Sequence, residues 1–183
     1  MNRTLTFDEL EHPDQCLVES ALRASAYAYA PYSGFAVGAA VSTSEEKIVA
    51  GANLENASYP LGICAEVTAI SSANSQGQFR IKSIAVVGHK FISPQDFSQV
   101  VTPCGRCRQI IFEAAQVSGC EILVFSCNAT LTKIEVSPIS ELLPKPFGPG
   151  NLGLDKTWPG TRRRLEDIVS RLLKREHIPI PDR

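Results

Sequence analysis

Two short segments constrain this chain more than any others: LGICAEVTAI, residues 61–70, and VTPCGRCRQI, residues 101–110. Each sets a cysteine just ahead of a run with helical apolar spacing, so Cys64 and Cys104 fall at helix starts and Cys107 one turn inside the second helix. Unpaired amide N–H groups and the positive end of the helix dipole favour thiolates at such places. Cys104 and Cys107 form a C-x-x-C turn in which Gly105 relaxes the backbone and Pro103 suits the helix entry. If the three sulfurs share a partner, the fold must bring two helix N-termini together from 40 residues apart.

The partner that three thiols suit is zinc. All six cysteines (Cys16, Cys64, Cys104, Cys107, Cys120, Cys127) lie in a medium-sized chain whose opening MNRTLTFDEL has two acids and no apolar run, so thiols or metal ligands are expected rather than disulfides. No stretch reaches the roughly 18 consecutive apolar residues of a membrane helix, and a cytoplasmic protein is the expectation. Three thiolates leave a fourth tetrahedral position for water, the catalytic arrangement; a closed four-cysteine site drawing on Cys120 or Cys127 is the structural alternative. Glu66 favours the open site, because a carboxylate two residues from a ligand is placed to carry protons for metal-bound water. Its plainer reading is a solvated acid in a first helical turn.

Around these segments the pattern alternates. Helical spacing over residues 14–28 stops at Pro31, FAVGAAVS and KIVAGANL flank TSEE as a hairpin, and a helix over 64–74 follows. A strand at SIAVVGH, a helix over 104–117, and strands at EILVFSC and TKIEV complete the body. Such alternation predicts an α/β domain with a mixed sheet of about five strands. Charge divides the chain: residues 1–155 carry a balance of −5 and residues 156–183 a balance of +4, with the turn-rich KPFGPGNLG between them. The expected organisation is a body over residues 1–150 and a basic extension over 151–183. In that extension RRRLEDIVSRLLKRE puts Leu165, Ile168, Val169, Leu172 and Leu173 on one helical stripe, expected to dock on its own or a neighbouring subunit.

Taken together, PYSGFAVGAAV, GANLENASYPLGICAE, TPCGRCRQ and ELLPKPFGP resemble the small zinc-dependent cytidine deaminases that act on free nucleosides and assemble as homotetramers. The resemblance implies a three-layer α/β/α domain, one Zn2+ per chain on Cys64, Cys104 and Cys107, and Glu66 as proton shuttle. Cytidine and 2′-deoxycytidine would be deaminated to uridine and 2′-deoxyuridine, a step of pyrimidine salvage. It further implies Asn53 and Glu55 at the ribose hydroxyls, Phe35 at the nucleoside wall, backbone groups of Ala65 at the base edge, and Tyr59 and Phe147 reaching a neighbour's active site.

Val67 departs from the family, which usually has arginine directly after the glutamate. Zn2+ with three thiolates carries −1, so offsetting charge is expected from Arg108, the match to the family's CRQ arginine, with Arg106 as an additional basic neighbour. A deaminase of another cytosine compound, of blasticidin type or acting on N4-substituted cytidines, is the close alternative; the N-x-E pair and YPLGICAE argue against it. A noncatalytic zinc module binding RNA through Arg162 to Arg164 is the alternative of a different class. Nucleic acid is disfavoured because the body is acidic and a polynucleotide needs a continuous basic track.

Overall fold

A computed structural model describes residues 3–92, 97–154 and 158–175. The chain forms two compact units, Met1–Pro146 and Phe147–Arg183. In the first, the strands are β1 (Arg3–Leu5), β2 (Phe35–Thr43), β3 (Ile48–Ala52), β4 (Ile81–Lys90), β5 (Leu123–Cys127) and β6 (Ile134–Pro138). The helices are α1 (His12–Ala24), α2 (Ala65–Ser75), α3 (Gly105–Ser118) and the short α4 (Ile139–Leu142). The second unit holds a 3-10 turn, Pro149–Leu152, and α5 (Trp158–Leu173).

The six strands form one sheet in the order β1-β6-β5-β4-β2-β3. Only β4 and β5 run parallel, joined by the crossover through α3, and the other four pairings are antiparallel. The mixed sheet is as expected, with one strand more: β1 adds to the edge of β6. Three residues are too few for a period-2 pattern to announce a strand. Helix α1 starts two residues before the expected Asp14, since Pro13 is tolerated in a first turn, and it gives way to a 3-10 turn at Ser25–Tyr27.

Side-chain alternation along the central strands divides the core in two. Ala39, Val41 and Ile84 pack with Ala65, Ala69 and Ile111, the inner residues of α2 and α3. Ala40, Ala85 and Val87 face the other way onto Leu17, Val18 and Ala21 of α1. The sheet is therefore the middle of three layers. Two glycines let the helices approach. A Cβ on Gly51 of β3 would stand 2.6 Å from the amide nitrogen of Ala69 in α2, and one on Gly38 of β2 would collide with the Ala21 carbonyl of α1. The first of these contacts sets the height of α2, and hence of Cys64, above the sheet.

Candidate functional site

Helices α2 and α3 lie on one face of the sheet, and their first residues are where the cysteines converge. Cys64 and Cys104 are the N-caps, both extended (φ −71° and ψ 152°; φ −67° and ψ 168°), and each carbonyl accepts a first helical bond, from Thr68 N–H at 3.1 Å and Arg108 N–H at 2.9 Å. Cys107 sits on the third residue of α3, fully buried. The sulfurs of Cys64 and Cys104 are 4.0 Å apart and those of Cys104 and Cys107 3.5 Å, with all three inside 4.8 Å. Three corners of a tetrahedron with Zn–S bonds of ~2.3 Å would be ~3.8 Å apart, so the donor set fits zinc without rearrangement.

Proton sharing within the cluster has the same sense. The Cys107 thiol, hydrogen-bonded to Cys64, holds the Cys64 thiol well below its ordinary value, while that bond and burial push Cys107 far up. The pair thus favours one negative sulfur, on Cys64, held by the Cys107 thiol that donates to it. The other cysteines do not join. Cys120 donates its thiol to the Ile81 carbonyl at 3.4 Å, Cys127 is buried with its thiol pushed up to about 12, and Cys16 lies 3.8 Å from His12. Among the described residues no fourth cysteine closes the site.

A cavity of about 580 Å3 opens beside the cluster, and Cys64, Cys104, Ala65 and Glu66 contribute to its lining. Glu66, on the second residue of α2, is only 4% exposed. Burial raises its carboxyl above the ordinary carboxylate range, opposed in part by hydrogen bonds from its own backbone N–H and from Cys107. The solvated-acid alternative does not survive this burial. Asn53 and Glu55 reach the same cavity just past β3, where Leu54 is pinned to Ile63 by paired bonds of 2.9 and 2.8 Å. That bridge fastens the Asn53–Glu55 segment to the residue preceding Cys64.

Glu55 Oε2 accepts from the amides of Tyr32 (2.9 Å) and Ser33 (3.2 Å), and hydrogen bonding led by Ser33 holds the carboxyl below its ordinary value. Asn53 Oδ1 accepts from Val37 N–H and Nδ2 donates to the Phe35 carbonyl, so the amide is locked to the start of β2. Phe35 itself is not among the lining residues. Its ring lies over Gly88, and Val37, two residues along the same face, lines the cavity instead. Tyr59, 76% exposed, stands on the rim of its own chain's cavity with its ring edge-on to Tyr32 at 6.1 Å. Phe147 belongs to the second unit and is exposed. Sequence reading missed Ser33, Asn56, Val101 and Thr102, which line the cavity from loops without periodic signal; Val37 was recoverable from its two-residue offset to Phe35.

The two arginines have different partners. Arg108 donates from Nε to the Pro103 carbonyl at 2.9 Å and from Nη1 to the Leu142 carbonyl at 3.1 Å, tying the α3 entry to the end of α4. Arg106 donates to the Gly62 carbonyl at 3.3 Å, and its charge acts to lower the Cys64 thiol. Arg106 is thus a cation whose charge bears on Cys64, while the Arg108 guanidinium is committed to backbone carbonyls.

Residues 11–123 match the profile described as the cytidine and deoxycytidylate deaminase zinc-binding region. A cytidine deaminase of Halalkalibacterium halodurans is 40% identical over 133 residues, covering 73% of this chain and 92% of the relative. One from Mycobacterium tuberculosis is 38% identical over 70% of this chain and 85% of its own. In fold, the crystal structure of cytidine deaminase from Burkholderia pseudomallei is similar with a TM-score of 0.64 and 37% identity, spanning 75% of this chain and all of that one. The M. tuberculosis crystal structure is similar at 0.60 and 33%, spanning 75% of this chain and 99% of that one. With its zinc-binding region matched and its three cysteines gathered at one cavity, the chain belongs to the cytidine and deoxycytidylate deaminase family.

Proposed function

We propose that this protein hydrolyses the exocyclic amino group of cytidine and 2′-deoxycytidine, giving uridine and 2′-deoxyuridine with release of ammonia. The observation that carries the reading is a buried glutamate beside three converging thiols on one open cavity. Cys64, Cys104 and Cys107 would hold zinc, which when bound supplies the Lewis acidity that makes a water nucleophilic near neutral pH.

Glu66 does the proton work. Its carboxylate takes a proton from the attacking water and delivers it to ring N3, leaving C4 electron-poor. The water oxygen bonds to C4, and a second proton carried by Glu66 reaches the amino nitrogen as the C4–N bond breaks. One water is consumed and one ammonia leaves. The upward push that burial gives Glu66 suits this cycle, since a group that must accept and release a proton near pH 7 works best with a pKa close to that range.

Asn53 and Glu55 recognise the ribose hydroxyls. Two backbone amides and the Ser33 hydroxyl hold the Glu55 carboxylate, whose four lone-pair sites leave room to accept from a ribose hydroxyl, and Asn53 keeps one amide N–H beyond that given to Phe35. Val37 takes the wall position expected for Phe35, and the Ala65 backbone at the start of α2 reads the base edge. The protein works as a homotetramer in pyrimidine salvage, with Tyr59 and Phe147 meeting a neighbour's site. Exposed Tyr27, Tyr29, Tyr32, Leu54, Tyr59 and Leu61 support assembly, being large aromatic and aliphatic side chains of the kind that interfaces cover. A reducing compartment such as the cytoplasm suits a site built on free thiols.

The test is Glu66→Gln. It should keep zinc content and melting temperature while turnover, followed by the loss of cytidine absorbance, falls at least ~100-fold, the scale of a positioned proton carrier. Near-normal turnover would reject the role. Free cytosine processed as well as cytidine would reject the ribose assignment.

A further inference from the structure

Helix α5 is the part of the chain that the deaminase chemistry leaves unused. It lies beyond the matched zinc-binding region, and none of its residues is buried. At 100° per residue, Trp158, Leu165, Ile168, Val169, Leu172 and Leu173 fall within an arc of about 140°. Five of these six are exposed, Leu173 by 80%, and Ile168 is half-buried. The opposite arc carries Arg163, Arg164, Arg171 and, one residue past the helix, Lys174, against Asp167 alone. Arg162 is the one charged residue that falls within this arc, and it is paired with Glu166 just outside it at 3.0 Å.

These two faces together select the partner. A polyanion such as RNA would need the cations but not the stripe. A helix packed on a protein needs the stripe and leaves the outer arc to solvent, so the predominance of arginine and lysine there would play no part, and a second copy of α5 would bring that same basic arc with it. An anionic phospholipid surface uses both: apolar side chains enter the acyl boundary while arginine and lysine meet the headgroups. Trp158 at the helix start is the residue type that settles at that boundary. We propose that α5 is an in-plane anchor that docks the enzyme reversibly on anionic phospholipid membranes. It lies on the surface, and no helix among the described residues is long and apolar enough to cross a membrane. The proposal stands apart from the deamination reading, and its test does not use turnover to detect binding.

The chain has one tryptophan, and it lies on the stripe, so the protein carries its own reporter. Full-length zinc-loaded protein is mixed with vesicles of phosphatidylglycerol in phosphatidylcholine, or of phosphatidylcholine alone, and assayed by co-flotation and Trp158 emission. Co-flotation with the anionic vesicles, a blue shift of Trp158, and weakening at high salt are expected, with neutral vesicles leaving the protein in solution. The variant carrying both Leu165→Ala and Leu172→Ala keeps helix propensity while losing apolar area, and should bind about tenfold or more weakly with unchanged cytidine turnover. Arg163→Gln with Arg164→Gln should weaken binding to a similar degree.

Binding that survives the leucine changes would overturn the proposal in favour of a purely electrostatic contact. An absence of co-flotation would overturn it outright. A drop in oligomeric state in the leucine variant, seen by sedimentation without any vesicle binding by the parent, would assign the stripe to a second copy instead.

Discussion

At the scale of single residues, arginine chemistry separates two positions that look equivalent in GRCRQ. Arg108 satisfies two carbonyls, at Pro103 and Leu142, so Arg108→Ala strips hydrogen bonds from a half-buried corner. A fall in unfolding free energy of about 1–3 kcal/mol is expected, seen as a lower denaturant midpoint, with zinc affinity following only as far as stability does. Arg106 is exposed and holds little structure, yet its charge bears on Cys64. Arg106→Ala should leave the midpoint in place and speed zinc loss to a chelator severalfold, and equal zinc loss from both variants would contradict the division. Glu55 allows a pH test. Hydrogen bonding depresses its folded pKa, so its stabilising charge is present above the unfolded carboxylate value and is lost as pH falls through the folded one. The melting temperature of Glu55→Gln should therefore lie below the parent's at pH 7 and converge with it in acid; a gap that persists unchanged at low pH would show that the charge is not the cause.

At the scale of elements, the site depends on how closely α2 can lie on β3. Gly51→Ala forces a methyl against the Ala69 amide and the Thr68 side chain, an overpacking that should cost about 1–3 kcal/mol and lift the helix start that bears Cys64. Lower zinc content than in a surface alanine control, measured by metal analysis, is the expected outcome. This contact also marks where the sequence stops being legible. Both helix starts could be read, because Pro103, the two cysteines and the apolar spacing are local signals. The convergence of Cys64 with Cys104 and Cys107 could be reasoned from the chemistry of thiols. By contrast, the commitment of Arg108 to Leu142, the pinning of Leu54 between Tyr29 and Ile63, and the place of Val37 in the lining are all tertiary. They join segments between 9 and 34 residues apart, and no periodicity records them. The strand Arg3–Leu5 escaped for another reason: its identity as a strand comes from the edge of β6 that it covers.

At the scale of the whole molecule, metal and fold are linked by mass action. A folded chain offers three thiolates at one point and an unfolded one offers only the nearby pair of Cys104 and Cys107, so zinc stabilises the native state. Removing zinc with a chelator should lower the melting temperature of the parent by several degrees, the response to a few kcal/mol in a chain this size. It should do nothing further to Cys104→Ser; an unchanged parent would mean that the cluster contributes no binding energy. Sedimentation belongs to the same scale: the proposed homotetramer, which rests on the family resemblance, would cover exposed Tyr32 and Tyr59 at the cavity, and a fully active monomer would refute shared sites.

The separation of the ligands also sets an order of events in time. Cys64 opens α2 and its partners open α3, with the whole of β4 between them in the chain, and β4 pairs with both β2 and β5. We expect metal uptake by the complete site to follow the pairing of this central strand, as a late step of folding. A rapid-mixing experiment that follows zinc capture during refolding would read out when the centre of this sheet closes.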